Sequence, residues 1–393
     1  MRIAHVSDFF MPRLGGIERQ VHDLALHQHA AGHDVEIITA VAGSPADSDP
    51  GVAVHRPSSH RGKPGTIQYA AWANGGRAVL AGNYDVVHVQ VSTISPMALL
   101  SARTAARAGI PVVVTVHSLW GKTWPIFSAA NRLLGWNGLP IVWTAVSSVA
   151  TVPIARHLRF GGHGGVHTPI AVLPNGIDPE RWQIEVLPRD ERRVVITSVM
   201  RLATRKRPHQ FLAMLRRARA LVPASITLEV VIMGDGPRRP GLERYLARHK
   251  MNDWVRLTGR ATHEQIRHVY RDADFFVAPA TLESFGIAAL EARSAGLPII
   301  AQQVSGVRDF VTHGREGLLA AGDTDMAERI AQLAMSPKLR ASITAYNRAN
   351  PPSFGWPEVL EQCEQLYRRA GATVFSVADG APVMSDELVS RRG

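Results

Sequence analysis

The chain has one cysteine, Cys363, in 393 residues. A lone thiol forms no internal disulfide and builds no zinc site by itself, so the fold rests on neither, and the composition fits a reducing, cytoplasmic compartment. Long apolar runs are missing too. The longest uncharged stretch at membrane scale, residues 133–155, is broken by Pro140, Pro153, Asn137 and two glycines, so it reads as strand, loop and helix start. The opening MRIAHVSDFF carries one Arg and then a strand pattern, so no leader is expected. Lysine is scarce, at 5 of 44 basic residues. Acid is scarcest of all in residues 51–173, where Asp85 alone faces ten Lys and Arg. With 33 acidic residues overall and a net charge of +11, that imbalance favours an anionic partner.

What is present is a globular composition, 46% hydrophobic and 20% charged, on a chain long enough for two domains. Strand-length apolar runs recur at 2–7, 35–40, 85–90, 111–116 and 141–146, then at 193–199, 226–234, 254–259, 274–280 and 298–301. They alternate little, as parallel strands buried on both faces do. Helical stretches such as 17–32 and 264–273 separate them. Alternating β and α elements predict doubly wound parallel sheets with ligands at the carboxyl ends of the strands. Ten strands predict two such domains facing one another. The punctuation in LPNGIDPERW places the boundary there, giving domains over 1–173 and 174–350. A helix near 355–371 is expected to pack back on the first domain, and 372–393, lacking periodicity, to form a loose tail.

Four constellations carry chemistry. Gly15-Gly16-Ile17-Glu18 ends the loop after the first strand, where glycines let backbone N–H groups approach an anion at a helix N-terminus. The same pair also suits a plain tight turn, and its spacing is not that of a dinucleotide fingerprint. Arg201 and Lys206 follow the first strand of the second domain, where phosphates bind in such folds, although Arg205 and Arg207 also suit a solvated basic loop. Glu283 and Glu291 are eight apart in ATLESFGIAALEARSAGLPIIA. If a helix begins near Phe285-Gly286, Glu283 lies at its mouth. Glu291, among alanines, then needs a buried partner such as a sugar hydroxyl, unless it faces solvent. His117 directly follows the apolar strand PVVVTV and points a donor toward the ligand end of the sheet.

In this order, Gly15-Gly16-Ile17-Glu18, His117, PNGID at 174–178, Arg201 with Lys206, GDGP at 234–237 and Glu283–Glu291 followed by AGLPIIA resemble the retaining glycosyltransferases of family 4. The resemblance runs from residue 15 to about 320. It implies the GT-B architecture, two Rossmann-like domains around an interdomain cleft that holds a nucleotide sugar, GDP- or UDP-linked. It implies that Arg201 and Lys206 bind the diphosphate with the Gly15-Gly16 backbone opposite, and that Glu291 holds the ribose. Glu283 with the N–H groups of Phe285, Gly286 and Ile287 would hold the sugar and phosphate, His117 would contact the transferred hexose, and Arg260 would lie near the base. Ser284 stands where the family commonly has Gly, and Gln302-Gln303 where a small or acidic residue is frequent. The protein's cations would stabilise the leaving diphosphate, so no cofactor and no metal is implied. Asp272-Ala273-Asp274 mimics a metal-binding D-x-D but closes a helix and opens a strand.

Trp120, Trp124, Trp136 and Trp143 lie among Lys122 and Arg132 with no acid between, a mix that suits a lipid headgroup interface. With the basic loop SSHRGKPG, this predicts peripheral docking on an anionic bilayer, at the inner face of the cell membrane, and a lipid-linked or phosphorylated polyol acceptor. That is the manner of phosphatidylinositol mannosyltransferases. Ser118 and Lys122 are candidate acceptor contacts. A buried aromatic cluster, a soluble sugar or glucan acceptor, and a non-catalytic nucleotide-sugar scaffold are the alternatives. Nucleic acid is excluded as a partner, since Arg is dispersed and no recognition element is present.

Overall fold

The computed structural model describes residues 1–13, 15–43, 51–58, 63–120, 124–159, 170–185 and 190–378. It divides into two compact units, residues 1–176 with 356–393, and residues 177–355.

The first unit is built on a parallel sheet of β1 (Arg2–Ser7), β2 (Asp34–Thr39), β3 (Ala53–His55), β4 (Val86–Val91), β5 (Val112–Val116), β6 (Ile141–Ala145) and β7 (Ala171–Val172), in the order β3-β2-β1-β4-β5-β6-β7. Period two sends alternate residues to opposite faces. Ala4, Val6, Val87, Val89, Val112, Val114 and Val116 meet the buried side chains of α2 (Ala70–Ala81), α3 (Pro96–Arg107), α4 (Trp124–Leu134) and α5 (Ser148–Arg159). Ile3, Val86, Val113 and Val142 face the other way. There they pack on Val21, Leu24 and Ala25 of α1 (Gly16–Ala30) and on Val359, Leu366 and Tyr367 of the last helix, α13 (Trp356–Ala378).

The second unit has a parallel sheet of β8 (Arg193–Val199), β9 (Thr227–Met233), β10 (Val255–Gly259), β11 (Phe275–Ala278), β12 (Ile299–Gln302) and β13 (Gly317–Ala320), in the order β10-β9-β8-β11-β12-β13. Its helices include α6 (Pro179–Trp182), α7 (Pro208–Leu221), α8 (Arg239–Arg248), α9 (His263–Asp272), α10 (Ile287–Ser294), α11 (Asp323–Met335) and α12 (Pro337–Ala349). A Thr262/Gln265 capping box starts α9.

Two expectations are corrected. The last helix does not stop near 371 but continues to Ala378; AGATVFSVA reads as aperiodic, yet alanine is the best helix former and Ala370 is fully buried. Residues 379–393 lie outside the described residues. The tryptophans do not form a surface belt: Trp120, Trp136 and Trp143 are core residues. The Trp120 indole N–H donates to Ser92 O at 3.1 Å and its ring stacks on Phe127 at 3.8 Å, while the Trp136 N–H donates to Leu99 O at 3.1 Å. Lys122 and the Trp124 side chain lie outside the described residues, as does half of SSHRGKPG, residues 59–62.

Candidate active site

Both sheets reverse their strand order, between β1 and β4 in the first unit and between β8 and β11 in the second. Ligands of open α/β sheets bind outside the carboxyl ends of the strands at such a reversal. Most of the predicted residues that are described gather there.

In the second unit, Arg201 and Lys206 lie in the loop after β8, and Glu283 lies in the loop after β11. The Lys206 ammonium is paired with the Glu283 carboxylate, both side chains being half-buried. Arg201 is exposed. The neighbouring cations have structural work: Arg205 Nε donates to Leu282 O at 3.2 Å, and Arg207 Nη2 to Asp323 Oδ2 at 2.6 Å. Together they tie the two loops of the reversal to each other and to α11.

Helix α10 begins one residue after Gly286, whose φ of 101° is the left-handed conformation glycine adopts freely. Its neighbour Gly306 is required by contact, since a Cβ there would lie 2.1 Å from Ser284 O. Phe285 is buried against Phe310 and Phe354, at ring distances of 5.5 and 5.7 Å, so its side chain anchors the turn while its backbone stays at the helix mouth. Ile287 opens the helix. Glu291 is buried and does not face solvent; His263 Nε2 lies 4.0 Å from its Oε1. Arg260 is exposed just after β10, the edge strand, away from the reversal.

Asp274 of the D-x-D triplet is occupied elsewhere. Its Oδ2 accepts the Val195 N–H at 2.7 Å and its Oδ1 lies 3.6 Å from Arg340 Nε, so it pins β11 to β8. Among the described residues no group of three or more His, Cys, Asp or Glu is placed to hold a metal ion.

In the first unit, Gly15 and Gly16 are exposed where α1 begins. The helix mouth already holds a carboxylate: Glu18 is buried, its Oε1 is 3.4 Å from Arg13 Nε, and its Oε2 lies where a Cβ on Gly15 would be. His117 follows β5, and its backbone N–H donates to Val91 O at 2.8 Å. Its Nε2 is 2.7 Å from Gln90 Oε1, its ring also bonds the Asn175 side chain, and burial lowers its pKa to about 4. It is therefore a neutral imidazole near pH 7. Ser118 is buried.

One residue at this reversal escaped the sequence reading. Asp8, directly after β1, accepts the Met97 and Ala98 N–H groups at 3.1 and 2.9 Å and so caps α3. Burial raises its pKa to about 6. Its signal was an acid at the end of an apolar strand, the position used to select His117.

Known proteins match the chain in sequence and in fold. Residues 14–181 match the family model described as Glycosyltransferase Family 4, and residues 180–350 match Glycosyl transferases group 1. The chain is 26% identical to a phosphatidylinositol N-acetylglucosaminyltransferase subunit of Arabidopsis thaliana, over 94% of this chain and 82% of that one. It is 28% identical to a D-inositol 3-phosphate glycosyltransferase of Streptosporangium roseum, over 75% and 72%, and 26% identical to a glycogen synthase of Mycobacterium tuberculosis over the whole of both chains. The crystal structure of Anabaena HepE in complex with UDP superposes with a TM-score of 0.72 at 19% identity, covering 93% of this chain and 99% of that one, a likeness of fold. The two family matches run without a gap from residue 14 to residue 350, across both sheet reversals, and the chain belongs to the family 4 glycosyltransferases of GT-B fold.

Proposed function

We propose that the chain is a retaining, metal-independent glycosyltransferase that moves a hexose from a nucleoside diphosphate sugar to a hydroxyl of a phosphorylated polyol, free or lipid-linked. The observation that carries this is the Lys206–Glu283 pair at the β8/β11 reversal, a cation and a carboxylate held together beside the mouth of α10. An incoming diphosphate competes for Lys206, with Arg201 as second cation. Glu283, so released, accepts hydroxyls of the sugar, and the backbone at Phe285, Gly286 and Ile287 meets phosphate at the helix N-terminus. Glu291 accepts from the ribose. Breaking the glycosidic bond places negative charge on the diphosphate, and fixed cations and N–H dipoles stabilise it without reorganisation. The acceptor hydroxyl attacks from the leaving group's own face and gives its proton to a phosphate oxygen. Neutral His117 contacts the transferred sugar without adding charge, a sugar hydroxyl taking the place of the Asn175 side chain at its ring.

The acceptor class is supported by the basic balance of residues 51–173 and by the relatives named for phosphatidylinositol and for D-inositol 3-phosphate. Docking on an anionic bilayer belongs to the proposal on that charge alone, since Trp120, Trp136 and Trp143 are buried. No helix among the described residues is long and apolar enough to cross a membrane. A glucan acceptor is the second reading, favoured by the end-to-end match to a glycogen synthase.

The test is a transfer assay with UDP- and GDP-hexoses in EDTA, offering inositol phosphate, phosphatidylinositol vesicles or a glucan, with the product's anomeric configuration read by NMR. An α-linked inositol product is expected from an α-linked donor. Transfer to glucan alone selects the second reading, inversion or a strict need for metal overturns the mechanism, and no turnover with any pair makes the protein a scaffold.

A further inference from the structure

Three strands of the first unit share a carboxyl-end pattern that their apolar runs conceal: His5-Val6-Ser7, His88-Val89-Gln90 and Thr115-Val116-His117. The parallel register sets His5 opposite His88, Gln90 opposite Thr115, and Thr115 opposite Thr144 of β6. Period two puts His5, His88, Thr115 and Thr144 on the face of Ile3, Val86, Val113 and Val142, beneath α1 and α13. All four are buried, as are Gln90, Gln28 of α1 and Tyr367 of α13.

These side chains form one continuous hydrogen-bonded chain. His117 Nε2 meets Gln90 Oε1 at 2.7 Å, and Gln90 Nε2 meets His5 Nδ1 at 3.2 Å. His5 Nε2 meets Gln28 Oε1 at 2.6 Å, and Gln28 Nε2 donates to Tyr367 Oη at 2.8 Å. Tyr367 Oη meets His88 Nδ1 at 2.9 Å, and His88 Nε2 meets Thr115 Oγ1 at 2.7 Å. Thr115 Oγ1 then meets Thr144 Oγ1 at 2.7 Å, and Thr144 donates to Val114 O at 3.2 Å.

The two amides fix the direction: Gln28 Nε2 donates to Tyr367 while its Oε1 accepts the His5 Nε2–H, and Gln90 Nε2 donates to His5 Nδ1 while its Oε1 accepts the His117 Nε2–H. With Thr144 donating to the Val114 carbonyl, the same sense continues below, Thr115 donating to Thr144 and the His88 Nε2–H to Thr115. Tyr367 then donates to His88 Nδ1 and accepts from Gln28. Read back to its start, the chain requires the Nε2–H form at His117.

We propose that this one-way chain is a positioning device for the transferase: it locks the His117 ring and its Nε2–H tautomer, with Gln90, His5, Gln28 and Tyr367 as positioning residues. The catalytic consequence rests on the reading that His117 meets the transferred sugar. A buried face of this kind is costly unless every member is satisfied, and a tautomer is set by the bond the opposite ring nitrogen makes. Tyr367 gives α13, far away in sequence, a direct part in that setting.

Two variants test it in the full-length protein with 15N-labelled histidine. The wild type is expected to show His117 protonated at Nε2 in long-range 1H–15N spectra. Gln90→Leu removes the acceptor and should move the proton to Nδ1, which the Asn175 amide can accept. Tyr367→Phe deletes one hydroxyl and frees the upper chain to reverse, so both tautomers should appear at His117. The kcat should fall about tenfold in the first and a few-fold in the second, with donor KM within twofold. Unchanged tautomers with unchanged kcat, and only a lower Tm, overturn the proposal. If Gln90→Leu does not fold, Tyr367→Phe decides alone, since it barely alters packing. His117→Ala separates the two ideas: full activity there removes the sugar contact and the catalytic half of the proposal, while the tautomer shift still reports the device.

Discussion

The two units share one strand order and gather polar groups at the same reversal, yet they use opposite chemistry there. The second unit uses charge: Lys206 with Glu283, and Arg207 with Asp323. The first, apart from Asp8 and the Arg13–Glu18 pair, relies on neutral groups joined by hydrogen bonds, with His5, His88 and His117 all held uncharged by burial. A diphosphate leaving group calls for fixed cations, whereas a sugar being handed between hydroxyls calls for orientation without charge. One topology can serve both needs because the strand ends, not the sheet, carry the difference.

The comparison can be broken or sharpened by variants that touch one unit at a time. Trp120→Ala should remove about 3–5 kcal/mol of first-unit stability, as large core truncations do, seen as a lower melting midpoint of that unit alone. Binding of the folded variant to acidic vesicles should be unchanged; a loss would return Trp120 to the surface. Lys206→Ala should lower kcat by roughly 10²–10³-fold in steady-state kinetics, the scale of one lost transition-state contact.

Acid should separate the units further. His5 has a folded pKa of about 4 against 6.5. Its unfolded form binds more protons between those values, so its contribution is full above pH 6.5 and drains as pH falls toward 4, by about 3 kcal/mol. His88 and His117 shift in the same direction. Asp8, raised from 3.8 to about 6, works the other way and gains stability as pH falls through that window, but one acid does not offset three histidines. Hydrogen exchange at pH 7 and pH 4.5 should show first-unit amides losing protection before those of the second. Glu291→Ala has the smallest expected effect: donor KM should rise about 10–100-fold, the worth of a charge-assisted hydrogen bond, with kcat nearly kept.

Much of this was legible in the sequence where one residue's neighbours are its own element. The runs at 2–7 and 193–199 coincide with β1 and β8, and the turn before α10 was readable because Gly286 suits a left-handed start. What stayed hidden depends on distant partners. Trp120 and Trp136 look like interface residues until the Ser92 and Leu99 carbonyls that take their N–H groups are known. The edge strands β3, β7 and β13, two to four residues each, are too short to show a period. The polar strand ends were in view as H-V-Q and T-V-H, but only register and α13 show that they join. The Lys206–Glu283 pair was likewise out of reach, because the reversal brings together residues 77 apart in the chain.

Calorimetric titration of UDP and of GDP into the wild type, Lys206→Ala and His117→Ala tests the division of labour most directly. The better-binding nucleotide should bind the wild type and His117→Ala with the same affinity, and Lys206→Ala at least about tenfold more weakly. Equal binding by Lys206→Ala, or a loss confined to His117→Ala, would contradict the assignment of the diphosphate to the charged strand ends of the second unit.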